Sequence, residues 1–429
     1  MNHDQMVPPR VDDVIHHTDM ESRLLRVVET LAEEVHSGEN PPVKLGPLTQ
    51  FERDLGFDSL MRAELLGRIE HTLNVRLPVD AFASSATPAD VLRAIETDCA
   101  APPRQPTDGG ARHMPFDAIG APLQAQTLIY ALRWHVDRHP DRTHIFVVED
   151  GVTSSPLTYG ELYRRAARAA SGLRSVGIDP GDTVALMLPT GCDYFVSFLG
   201  IMLCGAIPVP IYPPARLSQV EEHVRRHAAI LANAQVKALI TVPQAVVVAR
   251  LLRALVPSVD QVLTPASIDG SEPGALFAPR AEDTAFLQYT SGSTGDPKGV
   301  VLSHGNLLAN IRAMGDRMHV DASDVLVSWL PLYHDMGLIG AWFAPMYYGF
   351  PLVVMSPTTF LARPERWLQL FQRYRGTITA APNFAYERCA RHIDDADLDG
   401  LDLSSLRFAF CGAEPVSRPY PACIAEHDA

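Results

Sequence analysis

Lysine is nearly absent from this 429-residue chain: Lys44, Lys237 and Lys298 are the only three, and arginine supplies the other 33 of its 36 cations. Basic charge as a whole is short as well, because 50 acidic groups leave a net charge of −14. A general nucleic-acid binder needs a basic face, so that class is excluded. Cysteine is sparse and scattered: Cys99, Cys192, Cys204, Cys389, Cys411 and Cys423 show no CxxC and no Cys/His ligand spacing. Neither a disulfide framework nor a zinc site is expected, and a reducing cytoplasmic setting fits best. The opening MNHDQMVPPRVDDVIHH lacks the apolar centre of a signal peptide. Long apolar runs are missing too, with one exception. Tyr194 to Ile211 carries no charge over 18 residues, the length of a membrane span. Gly205, Pro208 and Pro210 interrupt it, so the expectation is a buried helix of about a dozen residues followed by an extended segment, with no transmembrane segment.

What is present is ample material for a core. Apolar residues make up 47% and charged residues 20%, which excludes global disorder, and the length suits two or three domains. The acid is uneven. Residues 1–98 hold 18 acidic and nine basic side chains, a net of −9 out of the −14. A solvated acidic face is the ordinary reading of such a bias. Two modules with different partners are the alternative.

Periodicity divides the chain further. In residues 22–36, Leu24, Leu25, Val28, Leu31, Ala32 and Val35 share one helical face. Between Leu55 and Leu73, Leu60, Ala63, Leu66, Ile69 and Leu73 recur at three- and four-residue spacing, so a second helix is expected from about Ser59. A third runs from Pro88 to Glu96, capped by Thr87. Residues 99–122 are rich in Pro, Gly and small side chains and read as a linker. From Gln126 onward helical patterns alternate with short apolar strands such as HIFVVED, DTVALMLP, KALITV, TAFLQYT, PLVVMSP and LRFAFCG. That alternation implies an α/β domain with largely parallel sheets.

Two segments carry chemistry. The first is Gly56-Phe57-Asp58-Ser59-Leu60, which sets a serine hydroxyl at a helix start, beside free N–H groups and the positive end of the helix dipole. A lone Asp-Ser-Leu is more often an ordinary N-cap. The second is Tyr289-Thr290-Ser291-Gly292-Ser293-Thr294-Gly295-Asp296-Pro297-Lys298-Gly299, between two expected strands. Its glycines admit close approach by backbone N–H groups, its hydroxyls can donate to phosphate oxygens, and Lys298 adds a point charge. A Walker loop would need Gly-Lys-Ser/Thr entering a helix. Here Gly299 and β-forming residues follow the lysine, so that reading fails.

Residues 20 to 98 resemble the acyl or peptidyl carrier protein family, on GxDSL at Ser59, on the pattern from Phe51 to Gly56, and on the later LPVDAFASSATPADV. The resemblance implies a small all-α helical bundle, a phosphopantetheine arm on Ser59 installed by a phosphopantetheinyl transferase, and an acidic surface that docks partner enzymes. The string from Tyr289 to Gly299 resembles the signature of adenylate-forming enzymes. It implies that Thr290, Ser291, Gly292, Ser293, Thr294, Gly295 and Lys298 hold the β- and γ-phosphates of ATP. Pro331-Leu332-Tyr333-His334-Asp335-Met336-Gly337 resembles the family motif whose histidine lies near the acyl carboxylate. Gly412-Ala413-Glu414 resembles the segment lining the adenine pocket. Lys298 and His334 are thereby the expected catalytic residues.

Within that superfamily the text from Ala206 (AIPVPIYPPARLSQVEEHVRRHAAILANA) and from Ala381 (APNFAYERCARHI) is most similar to fatty acyl-AMP ligases. The implied organisation is a carrier over residues 18–98, a linker over 99–122, and over 123–429 the large N-terminal part of an α/β adenylate-forming enzyme. The implied activity is ATP-dependent activation of a fatty acid to its acyl-adenylate, with Mg²⁺ expected. Transfer to a phosphopantetheine thiol would follow, on Ser59 or on a carrier of a downstream polyketide or peptide synthase. The family's later glutamate for Mg²⁺, its ribose aspartate and its C-terminal subdomain with a catalytic lysine do not follow Glu414. The expectation is therefore a truncated, catalytically crippled form. A non-catalytic carrier with a degenerate nucleotide-binding domain, an acyl-CoA synthetase and an amino-acid adenylation domain remain the alternatives.

Overall fold

The apolar stripe of the first helix is buried as its spacing requires. In a computed structural model of the chain this helix runs Val11–Val35, with Leu24, Val27, Val28, Leu31 and Ala32 inside and Leu25 only half-buried. It begins 11 residues earlier than residue 22, because no proline or glycine interrupts the text after Pro9. The structure describes residues 11–35, 45–51, 54–55, 65, 68–69, 72–73, 75, 77, 85–98, 119–149, 152–153, 156–212, 220–270, 274–291, 297–393 and 395–412. The helix Pro88–Asp98 is capped as expected: Thr87 Oγ1 accepts from Asp90 N–H at 3.2 Å, and Asp90 Oδ2 accepts from Thr87 N–H at 2.9 Å. Val91, Leu92 and Ile95 join Phe51, Leu55, Ile69 and Leu73 in this small core. Ser59 and the expected start of the second helix lie outside the described residues.

The chain divides into two units, residues 1–109 with 361–363 and residues 110–360 with 364–429. Three sheets build the second. The largest orders its strands β13 (Phe408–Cys411), β12 (Ile378–Ala381), β10 (Leu326–Ser328), β11 (Leu352–Met355), β1 (Thr143–Glu149) and β2 (Val152–Thr153), and β3 (Leu157–Thr158) also pairs with β1. β13, β12, β10, β11 and β1 are mutually parallel, and only the short β2 and β3 run against them. The second sheet, β5 (Ile207–Pro210), β4 (Thr183–Met187), β6 (Val236–Thr241) and β7 (Gln261–Leu263), is wholly parallel. The third is an antiparallel pair, β8 (Thr284–Ser291) with β9 (Pro297–Ser303).

The chargeless run is a helix and a strand. Cys192–Cys204 is helical, ends at Gly205 in the left-handed region (φ 89°), and leads directly into β5. Every side chain from Tyr194 to Cys204 is buried, which is why the helix has no polar stripe. Gly200 lets it approach the helix Tyr159–Ser175, since a Cβ there would lie 2.7 Å from the Ala169 Cβ. Its other side meets aromatic rings, Phe195 lying 4.8 Å and Phe198 5.4 Å from Trp342 between centroids. No helix among the described residues is long and apolar enough to cross a membrane.

Beneath this core a second aromatic group is fully enclosed. Tyr159 is stacked between His135, 4.6 Å away, and His144, 4.7 Å away. Burial holds the His135 imidazole down to about 4 and the His144 imidazole to about 3, so both rings are neutral.

Candidate functional site

Parallel strands aim their carboxyl ends at one edge of a sheet, and the loops leaving that edge form the usual binding crevice of α/β folds. Here β10 ends at Ser328 and passes through Trp329 and Leu330 into Pro331–Gly337, while β13, two strands away, ends at Cys411 and Gly412. The expected histidine motif and the expected adenine segment thus leave the same edge. They come close. A Cβ on Gly412 would lie 3.6 Å from Met336 Sδ. Ala413 and Glu414 lie outside the described residues.

The Pro331–Gly337 turn is tight. His334 N–H donates to Pro331 C=O at 3.2 Å, and a Cβ on Gly337 would sit 2.2 Å from that carbonyl oxygen. Only glycine fits there. From Met336 the chain winds into a π-helix, Met336–Phe343, a rare form frequent at functional sites. Tyr194 Oη, fully buried, donates to Leu332 C=O at 2.7 Å and ties the turn to the Cys192–Cys204 helix.

His334 Nδ1 lies 2.7 Å from Asp335 Oδ1, and both side chains are more than half exposed. The hydrogen bond to Asp335 raises the His334 imidazole above its ordinary value and holds the Asp335 carboxyl below its own. The Met336 N–H approaches the same ring nitrogen at 3.4 Å, but it donates to Asp335 Oδ1 at 2.7 Å and so does not compete for Nδ1.

The β8–β9 hairpin carries the second motif. Its register pairs Ser291 with Pro297, Thr290 with Lys298 and Tyr289 with Gly299. Thr290 and Ser291 thus end one strand and Lys298 opens the other, while Gly292, Ser293, Thr294, Gly295 and Asp296 lie outside the described residues. Both expected strands form, but only β8 is buried, at Ala285, Phe286 and Gln288. Lys298 to Val301 are exposed. The apolar text of β9 resembled that of a core strand, but its sole ladder partner among the described residues is β8, which leaves its outer side open.

Gln288 joins this hairpin to the histidine turn, its Nε2 donating to Tyr333 C=O at 2.8 Å. Sequence reasoning did not single it out. The one signal was an amide among the apolar residues of a core strand, a buried polar group that has to find a partner. The lysines differ in their commitments. Lys237 pairs with Asp182 at 2.7 Å, whereas Lys298 is exposed and forms no ion pair among the described residues.

One cavity lies elsewhere. Gly181, Met202, Gly205, Phe277, Asp283 and His304 are among the residues lining a space of about 430 Å³. It opens at Thr284, the far end of β8 from Ser291, roughly 20 Å along the strand. It contains none of the motif residues, and the chemistry follows the sheet edge instead.

Residues 132–423 match the AMP-binding enzyme family, and residues 26–95 match the phosphopantetheine attachment site family. The chain belongs to the AMP-binding enzymes, and it carries a phosphopantetheine-attachment segment ahead of that region. Among its relatives, the medium-chain-fatty-acid–[acyl-carrier-protein] ligase TtuA of Teredinibacter turnerae is 34% identical over 332 residues, covering 68% of this chain and 51% of that protein. The long-chain-fatty-acid–AMP ligase FadD26 of Mycobacterium marinum is 35% identical over 311 residues, with 69% and 52% covered. A fatty acyl-adenylate ligase from L. pneumophila, solved with acyl adenylate and pyrophosphate, superimposes with a TM-score of 0.63 at 33% identity over 71% of this chain and 53% of that one. The chain spans about half the length of the curated relatives it matches.

Proposed function

We propose that this chain is the acid-activating part of a fatty acyl-AMP ligase joined behind a phosphopantetheine carrier, with the carrier over 18–98, the linker over 99–122 and the ligase from 123. The carboxylate of a fatty acid attacks the α-phosphate of ATP, forming acyl-adenylate and releasing pyrophosphate. A phosphopantetheine thiol then takes the acyl group and AMP departs. The observation that carries this reading is the join at Gln288, which sets the hairpin bearing the exposed Lys298 against the turn bearing His334.

Each residue has a task in that scheme. Thr290, Ser291, Gly292, Ser293, Thr294 and Gly295 cradle the terminal phosphates with N–H and hydroxyl donors, and Lys298 offsets the charge growing on pyrophosphate. His334, whose protonated form Asp335 favours, faces the acid's carboxylate. Gly412, Ala413 and Glu414 border the adenine. Mg²⁺ would arrive with the nucleotide and use its phosphates as ligands, since no group of three His, Cys, Asp or Glu side chains gathers to hold a metal among the described residues. Ser59 carries the arm after a phosphopantetheinyl transferase has acted, and the acceptor is that arm or a carrier of a downstream polyketide or peptide synthase. The scarce, scattered cysteines suit a cytoplasmic setting.

Fatty-acid-dependent ATP–pyrophosphate exchange by the full chain is the test. Exchange with fatty acids supports the ligase, exchange only with amino acids assigns the chain to a different branch, and no exchange with either favours a carrier with an inactive nucleotide-binding domain.

A further inference from the structure

Tyr289 opens the phosphate-loop text and faces Gly299 across the hairpin. A Cβ on Gly299 would meet the Tyr289 ring, 2.9 Å from Cζ and 3.0 Å from Oη. The ring therefore fills the space beside the backbone that immediately follows Lys298. Its hydroxyl reaches onward and donates to Asn233 Oδ1 at 2.5 Å. The ring also packs against the apolar layer between the four-stranded sheet and its helices.

Asn233 is a fixed anchor. It is the last residue of the helix Val220–Asn233, and the turn after it is tied down on several sides. Gln235 is left-handed (φ 51°), and its side-chain amide donates to Ala232 C=O at 2.7 Å. Thr183 Oγ1 bonds the carbonyls of Ala234 at 2.8 Å and of Gln235 at 2.9 Å, which links the turn to β4. Against this anchor the hairpin itself is slight. Its second strand is exposed from Lys298 to Val301 and pairs, among the described residues, only with β8.

We propose that Tyr289 and Asn233 are positioning residues for Lys298: the phenol-to-amide hydrogen bond braces the rung Tyr289–Gly299 and so holds the adjoining rung, Thr290–Lys298, where a polyphosphate is gripped. The proposal rests on the ATP reading of the hairpin given above. It accounts for the glycine after the lysine, whose missing side chain is the seat of the Tyr289 ring. Small displacements of a charged group cost binding and rate steeply. A strut between an open edge strand and a fixed helix end is a direct way to prevent them.

The test uses the full chain and the variants Tyr289→Phe, Asn233→Ala, Asn233→Asp and the double variant Tyr289→Phe/Asn233→Ala. Two quantities are read: ATP affinity, and amide hydrogen exchange across residues 297–303. Tyr289→Phe and Asn233→Ala should each weaken ATP by about three- to tenfold, the worth of one hydrogen bond, and speed exchange in β9 without shifting the melting temperature. Where turnover is measurable, KM for ATP should rise while KM for the fatty acid holds. Asn233→Asp keeps an acceptor and should restore most of the loss, and the double variant should be no worse than the worse single one. Unchanged ATP affinity and β9 exchange in both single variants, or fully additive losses, would overturn the proposal. A wild-type chain that fails to bind ATP would instead sink the ATP reading, and β9 exchange would still decide whether the brace exists.

Discussion

His334 and Asp335 are adjacent in sequence, yet their side chains turn toward each other and meet at 2.7 Å between Nδ1 and Oδ1. The carboxylate stabilises the protonated ring, so the imidazole holds its proton to higher pH than a free histidine would.

Activity that uses the His334 imidazolium should therefore fall as pH rises through the raised imidazole pKa. Removing the carboxylate charge with Asp335→Asn removes the cause of the rise, so the alkaline limb of the pH–rate profile should move to lower pH. Fatty-acid-dependent exchange from pH 6 to 9 checks this, and a limb at the same pH in both proteins would refute the assignment.

Lys298→Ala should lower the exchange rate by about 100-fold, the scale on which a single stabilising group at a developing anion acts. Because Lys298 is exposed and supports no core contact, its thermal stability should match that of the parent chain. Equal exchange rates would remove the hairpin from the nucleotide site.

Gly337→Ala should be destabilising, since its Cβ would lie 2.2 Å from the Pro331 oxygen. Overpacking of this kind costs about 1–3 kcal/mol, and the strain falls on the turn that holds His334. A urea titration reads the stability loss, which should come with reduced exchange activity. Gly340→Ala is the control, because nothing lies within 4 Å of its added carbon.

Three of the buried histidines, His135, His144 and His304, make acid a denaturant. His135 is lowered to about 4, His144 to about 3 and His304 to about 4, each chiefly by burial. Below the ordinary imidazole value of about 6.5 the unfolded chain takes up protons that these folded rings refuse. Stability is full above that value and declines as pH falls toward the folded values, by about 1.4 kcal/mol per pH unit for each ring. Urea midpoints at pH 7.5 and 5.5 measure the decline, and His135→Gln should make it shallower.

Ser59 is open to a separate check. Incubation with coenzyme A and a phosphopantetheinyl transferase should add one phosphopantetheine mass to the chain and none to Ser59→Ala. An unmodified parent chain would end the carrier assignment.

Much of the architecture was legible because periodicity and chain breakers act locally. The helix Cys192–Cys204 followed from a chargeless run cut by Gly205 and two prolines, and the alternation from Gln126 onward gave the parallel sheets. What escaped depends on distant partners. β2, β3 and β7 are two or three residues long, too short to show a period, and each exists through its ladder. The π-helix Met336–Phe343 has no local signal in an apolar stretch. The openness of β9 could not be read from Val300 and Val301, whose exposure is set by what lies beside them. At the site, Lys298, His334 and Gly412 stood out by motif. Gln288 and Tyr289, which tie those motifs to the rest of the structure, bond to residues 45 and 56 positions away.

The buried helix Cys192–Cys204 has a consequence for the birth of the chain. Its aromatic cover, Trp342 and Phe343, is encoded about 130 residues after Ile211, on the order of ten seconds of synthesis. Throughout that interval an 18-residue chargeless stretch has left the ribosome without the rings that will enclose it. The same composition that makes the strut of the finished enzyme makes this segment, while it waits, a natural substrate for chaperones and a seed for aggregation.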